Sequence, residues 1–406
     1  TAWGRLHPAP AVLAVTQTSP GGFTLAWTAQ SAVTNAGRTP IYPAYIVQVS
    51  SDLRAWSDTA VVIPQRVGGP AALLQTNLGT IPVFPALFIR VRSELNLSKA
   101  DLSNADLRGV DLSDEDLSQA RLDGARISGT DFARANLAAA QMRGARADGA
   151  RFEQAQARTL HGVGTDFRNS LWQGALMAGA TFDDADFRGV NLAAQDLSGT
   201  RFVGANLSGA RLDQASLAGA NLSRATLTNA TFVQARAIGL VATNANFSGS
   251  DLSRADLSTA LLDGSAFVRA LVASTQLDSA SARRADFTQA NMNAVRLTRA
   301  ICDEADFTEC EFPDADLGYG WFRYAQMTSV DFDETHGEYA VFYGAILRDS
   351  VFRDSDFSLA DFRLANLEDS DLEWTDFRFC DFRGANMDDV DSAFCDFTGA
   401  LFWGHP

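Results

Sequence analysis

The chain has 406 residues, 46% hydrophobic and 20% charged, which is enough apolar content for more than one buried core and excludes wholesale disorder. No run of about 18 apolar residues occurs, so no membrane insertion is expected, and Thr at position 1 predicts a processed or trimmed chain whose targeting segment is not visible. The net charge of −16 is uneven: residues 1–96 hold six Arg against three acids, residues 97–296 hold 20 basic against 21 acidic residues, and residues 297–406 hold seven against 25. Such an acidic end disfavours direct binding of nucleic acid and suits cations, a basic protein partner or a basic patch on another copy.

Residues 1–94 read as all-β. The stretches "GGFTLAWTAQ", "AYIVQVSSDLRAW", "TAVVIP" and "ALFIRVRS" alternate apolar and polar residues between Pro, Gly and Ser. The pattern predicts a small β-sandwich with Trp27, Tyr45, Trp56 and Phe88 in its core, and it resembles a fibronectin type III or related immunoglobulin-like module.

From Leu97 the text changes to "NLSKADLSNADLRGVDLSDEDLSQARLDGA". Positions ending in 2 or 7, from 97 to 402, form one unbroken register that carries mostly Leu or Phe. The residue two before is small, and the one just before is most often Asp or Asn. This A(D/N)LXX pattern, in "ADLSNADLRG" and "GANLSGARLD", resembles the pentapeptide-repeat family over residues 97–406.

The resemblance implies a second domain, residues 95–406, folded as a right-handed quadrilateral β-helix with one pentapeptide per side. The fold class is then all-β. Phe recurs every twenty residues, at 247, 267, 287 and 307 and again at 322, 342, 362, 382 and 402, which predicts aromatic ladders with like stacked on like. The register makes about 15 coils and a rod of roughly 75 Å at about 4.8 Å per coil. Where the large position shrinks to Ala157 or Ala237, the next small position grows to Leu160 or Leu240, so core volume is conserved. Gly162 and Gly337 have no such partner, which predicts bulges or thinning there.

No catalytic constellation is visible. The four His, at 7, 161, 336 and 405, do not converge, and Cys302, Cys310, Cys380 and Cys395 fall on inward positions as reduced spacers, with a Cys380–Cys395 bond as the alternative. No Gly-rich phosphate loop, GxSxG elbow or HExxH occurs, so no enzyme, cofactor or metal is expected. Asp356, Asp376 and Asp396 stack at twenty-residue spacing; the resemblance implies that such Asp residues accept backbone hydrogen bonds at the turns, and a bound cation is the alternative.

The informative outward feature is apolar. Tyr319, Tyr339, Leu359 and Phe379 form one column, Val241, Leu261, Ser281, Ile301, Trp321 and Val341 form another, and Tyr324 and Tyr343 lie close by. These columns predict a seam of the kind interfaces use. With Leu401, Phe402 and Trp403 at the acidic end, they are the candidate self-association residues. The expected function is a non-enzymatic structural protein, a rigid rod that associates with other copies of itself head-to-tail or laterally, through its C-terminal end, its N-terminal sandwich and the seam. An extracellular filament or surface component, secreted or at the cell surface, is the expected setting. The alternative implied by the resemblance is an acidic DNA mimic that binds DNA gyrase or topoisomerase, which would make the protein cytoplasmic.

Overall fold

The structure is a computed structural model; it describes residues 97–402 in full and, before them, the backbone of six strands. These are β1 (Val12–Ser19), β2 (Gly22–Ala29), β3 (Ala44–Ser50), β4 (Ser57–Val62), β5 (Ala72–Thr80) and β6 (Phe88–Glu94). They pair antiparallel in two three-stranded sheets, ordered β1-β2-β5 and β4-β3-β6. The expected core roles of Trp27, Tyr45, Trp56 and Phe88 lie outside the described residues, as do His7 and His405.

From residue 97 the chain coils. At positions ending in 1 or 6, parallel bridges join a residue to the one twenty positions on, from Asp101↔Arg121 to Asp381↔Leu401, so four pentapeptides complete one turn of the coil. Each pentapeptide folds in the same way. Its large residue points inward, and that residue's carbonyl accepts a hydrogen bond from the N–H three positions on, as from Ala100 to Leu97 (2.9 Å) and from Ala260 to Leu257 (3.0 Å). The second residue after the large one has positive φ at every fifth position, from Lys99 (59°) to Gly399 (77°). A three-apart hydrogen bond with positive φ at the second central residue defines a type II turn.

The expected ladders form. Phe247, Phe267, Phe287 and Phe307 stack with centroids 4.8, 4.7 and 5.0 Å apart and planes within 6° of parallel. The ladder from Phe322 to Phe402 continues at 5.0–5.2 Å. Ala157, Leu160, Ala237 and Leu240 are all buried, with their turn hydrogen bonds intact, so the exchange of volume between neighbouring positions is real.

Gly162 and Gly337 depart from expectation. Neither bulge nor thinning occurs: the turns Gly162–Thr165 and Gly337–Ala340 close at 3.2 and 3.0 Å in unbroken register. Neighbouring rings fill the space instead. A Cβ at Gly162 would stand 2.8 Å from Phe167 and 2.9 Å from Phe182, and one at Gly337 would collide with the Phe357 ring. Phe357 stacks less evenly than its neighbours, 6.2 Å from Phe377 with planes 22° apart.

The small position has a second task where it carries a hydroxyl or thiol. Thr130, Thr335, Ser350, Ser355 and Ser370 each donate to the carbonyl 23 residues earlier, at 2.6–2.8 Å. Cys310, Cys380 and Cys395 do the same at 2.8–3.0 Å. All four Cys are free, three buried and Cys395 half-buried. Each such group ties one coil to the one below and satisfies a carbonyl lone pair that Ala would leave unused.

Candidate interaction surface

The type II turn sets where outward side chains can stand. Its positive-φ position costs a non-glycine residue about 1–2 kcal/mol and suits Gly or Asn. Up to residue 314 that position holds Gly, Ala or polar and charged residues; from there on it also holds Tyr319, Tyr324, Tyr339, Leu359, Leu364, Trp374, Phe379 and Phe394. All eight are exposed, from 42% at Leu359 to 72% at Phe394. Backbone strain and lost apolar burial therefore coincide at the same residues, and only in this part of the rod.

These side chains are ordered against one another. Tyr319 and Tyr339 stack at 4.7 Å, and Trp374 and Phe394 at 4.3 Å. Others rest on glycines one coil on: Tyr324 over Gly344, Leu364 over Gly384 and Phe379 over Gly399, each so close that a Cβ would come within 2.7 Å.

Between the column beginning at Tyr319 and the column beginning at Tyr324 runs a face whose outward residues are Trp321, Val341 and Asp361, then Arg323, Tyr343 and Arg363. Val341 and Tyr343 are half-buried and Trp321 is 45% exposed. The two columns of the expected seam thus lie in parallel as proposed, but Ser281 interrupts one of them: it is buried and donates to Asp263 (2.6 Å). Leu401 and Phe402 are half-exposed, and Trp403 lies outside the described residues.

Sequence reasoning missed Leu364, which lies in the column of Tyr324, and Trp374 and Phe394, which share another corner of the rod. Their signal is a large apolar residue at the second position after the Leu or Phe. It also missed a charge clamp written in the sequence as Asp-x-Arg. Arg108 grips Asp106, Arg168 grips Asp166, Arg363 grips Asp361 and Arg383 grips Asp381, each through two hydrogen bonds. Arg108 holds the Asp106 carboxyl down at about 2, and Asp166 and Asp381 are lowered in the same way by their arginines.

The stacked carboxylates use their oxygens locally. Asp356, Asp376 and Asp396 each accept from the backbone N–H two residues on (2.9 Å), and Arg378 lies beside both Asp376 and Asp396. Among the described residues no group of three or more His, Cys, Asp or Glu is placed to hold a metal ion. A separate corner is acidic: Glu309, Asp349, Asp369 and Asp389 occupy its positive-φ positions one above another, with Ser329 between.

The profile described as Pentapeptide repeats (8 copies) matches the chain in segments from residues 93–114 to residues 365–404. The chain therefore belongs to the pentapeptide-repeat family, whose members fold as right-handed quadrilateral β-helices and are in general structural or interaction proteins. The matched segments skip 155–162 and 235–242, the two places where Ala and Leu exchange positions. Among solved structures, QnrB1, a plasmid-mediated fluoroquinolone resistance protein, is 20% identical over 48% of this chain and 89% of its own, with a TM-score of 0.32. HetL, a pentapeptide repeat protein involved in heterocyst differentiation regulation from the cyanobacterium Nostoc sp. strain PCC 7120, is 26% identical over 53% and 90%, with a TM-score of 0.21. A pentapeptide repeat protein of the Arabidopsis thaliana thylakoid lumen is 26% identical over 30% and 69%, with a TM-score of 0.16. No curated protein matches the chain.

Proposed function

We propose that the protein is a non-enzymatic assembly rod that associates with other copies of itself through the apolar corners of residues 319–394. The observation that carries this reading is the set of eight large apolar residues held exposed at strained positive-φ positions. Strain of that kind persists where a surface is used, and apolar area on this scale is what interfaces bury. Half-exposed Leu401 lies in the bridged column of Trp321, Val341 and Asp361 and continues that face, and half-exposed Phe402 ends the core ladder beside it. The N-terminal strands, in the order β1-β2-β5 and β4-β3-β6, support a fibronectin type III-like module as a second contact of milder basic charge. Repetition of such a contact without closure makes a filament, and an extracellular or cell-surface location suits that use. Electron microscopy of purified protein tests it: elongated assemblies support the reading, and isolated rods at every salt concentration remove it.

The acidic corner favours a second reading, in which the rod mimics the charge of a DNA duplex and binds DNA gyrase or a topoisomerase. Its support is the run Glu309, Asp349, Asp369 and Asp389 in a segment with seven basic and 25 acidic residues. A gyrase supercoiling assay decides it: inhibition that is lost on replacing those four acids with amides supports the mimic, and no effect of the intact protein eliminates it.

A further inference from the structure

One face of the rod carries a cleft of about 380 Å³ that spans three successive coils and shares only Tyr324 with the corners argued above. Its walls are Trp321 and Arg323 from the first coil, Tyr343 from the second, and Asp361 and Arg363 from the third, with Tyr324 closing one side. The volume lies toward the lower end of the range for small-molecule sites, about 300–1,000 Å³.

The cleft is built rather than left over. Tyr324 meets Tyr343 edge to face, 5.6 Å between centroids at 84°, and lies over Gly344, where any larger residue would displace it. The Arg323 guanidinium sits 4.7 Å from the Trp321 ring centre, and that of Arg363 sits 5.4 Å from the Tyr343 ring. Each aromatic wall is therefore held in place by an arginine that is itself fixed by a carboxylate.

Charge narrows the ligand. Arg323 uses Nε and Nη2 on Asp303 (2.9 and 2.5 Å), and Arg363 uses the same edge on Asp361 (2.9 and 2.7 Å). Both cations are thus neutralised by bidentate pairs. The two carboxylates cancel the positive charge that would draw an anion, and a cation would meet two guanidinium groups. What remains on offer is neutral: three aromatic surfaces, the Nη1 edges of two arginines without a protein acceptor among the described residues, and the hydroxyls of Tyr324 and Tyr343, which make no hydrogen bond to those residues. A ligand that matches has an apolar face of C–H groups and a rim of uncharged hydroxyls. We infer that the cleft is a binding site for a neutral carbohydrate chain, stacked on Trp321 and Tyr343 and hydrogen-bonded by Arg323, Arg363 and Tyr324.

The repeat geometry extends this assignment. The walls come from successive coils one bridge apart, Trp321↔Val341↔Asp361, so the cleft runs along the rod and takes an extended chain rather than a compact ligand.

Saturation-transfer NMR with laminarihexaose, maltohexaose and cellohexaose as probes tests the inference on the full chain. At least one hexaose should give saturation transfer at about 1 mM, unchanged between about 50 and 500 mM salt. Trp321→Ala and Tyr343→Ala should each weaken binding at least about tenfold with circular dichroism unchanged. Tyr339→Ser combined with Phe379→Ser, which addresses the corners, should leave it intact, so that failure of the assembly reading and failure of this one are told apart. Gly344→Ala, which displaces only Tyr324, should also weaken binding. The inference is overturned if no neutral hexaose binds, if binding survives both aromatic substitutions, or if only sulfated or carboxylated glycans bind and salt abolishes it.

Discussion

The ring of Tyr324 lies over Gly344, twenty residues further on, so closely that a Cβ on the glycine would stand 2.7 Å from it. Two turn positions with the same backbone, φ 59° and 66°, are thus filled as a pair, one with a large residue and the next with none. Gly129 has the same backbone but nothing within 4 Å of its Cβ position. Gly129→Ala should therefore cost only the backbone term, about 1–2 kcal/mol, and Gly344→Ala should cost measurably more because a ring must move. Denaturant unfolding of the two variants checks the order, and equal costs would show that the pairing is incidental.

The core ladders predict a local penalty. Phe267 stacks on Phe247 and Phe287 with both faces covered, so Phe267→Ala should cost about 3–5 kcal/mol. Because each coil touches only its neighbours, faster hydrogen exchange should appear near residues 247–287 and leave the coils around residue 120 unchanged. A uniform rise along the rod would contradict this nearest-neighbour account.

The cysteines predict a selective reaction. Burial pushes the thiols of Cys302, Cys310 and Cys380 up, Cys380 to about 12, while half-buried Cys395 is raised as well. Since the thiolate is the reactive form, a maleimide should leave Cys302, Cys310 and Cys380 unmodified in the folded chain and label Cys395 slowly. Peptide mass spectrometry reads the sites, and labelling of Cys302 ahead of Cys395 would contradict the packing.

Lowered and raised carboxyl groups should act on stability with opposite signs. Asp106, Asp166 and Asp381 have lowered folded-state values, so their contribution is fully present above the ordinary value of 3.8 and is lost as pH falls through the folded value, about 2 for Asp106. Glu338 is exposed, yet its carboxyl is raised above 4.5, first by partial desolvation against the coil and then by the charge and hydrogen bond of Asp356. The folded chain therefore holds that proton more tightly, and stability falls as pH rises from 4.5 through the folded value. Glu338→Gln should remove this fall and raise the melting temperature at neutral pH; a lower melting temperature there would reverse the assignment.

The coil was legible in the sequence because two periods, five and twenty, are written directly in the spacing of Leu and Phe. Trp172, buried at a large position with its indole N–H donating to Ser170 (2.8 Å), obeys the same spacing. The filling at Gly162 and Gly337 was not legible, since it depends on how far rings from neighbouring positions tilt. The candidate surface was half legible. Tyr319 and Tyr339 stood out as a column, but Leu364 is separated from Tyr324 by Gly344, Trp374 and Phe394 lie on another corner, and what unites all of them is a backbone angle. The Asp-x-Arg clamps were written in the sequence but were hidden by the stronger signal of stacked acids.

The central claim is that the apolar corners of residues 319–394 join copies of the chain. Sedimentation velocity over a range of concentrations, on the intact chain and on a variant carrying Tyr339→Ser, Trp374→Ser and Phe379→Ser, tests it most directly. The account predicts concentration-dependent association of the intact chain and a variant that stays at the 43.6 kDa of one chain with its circular dichroism unchanged. An intact chain that remains monomeric, or a variant that associates equally well, would contradict it.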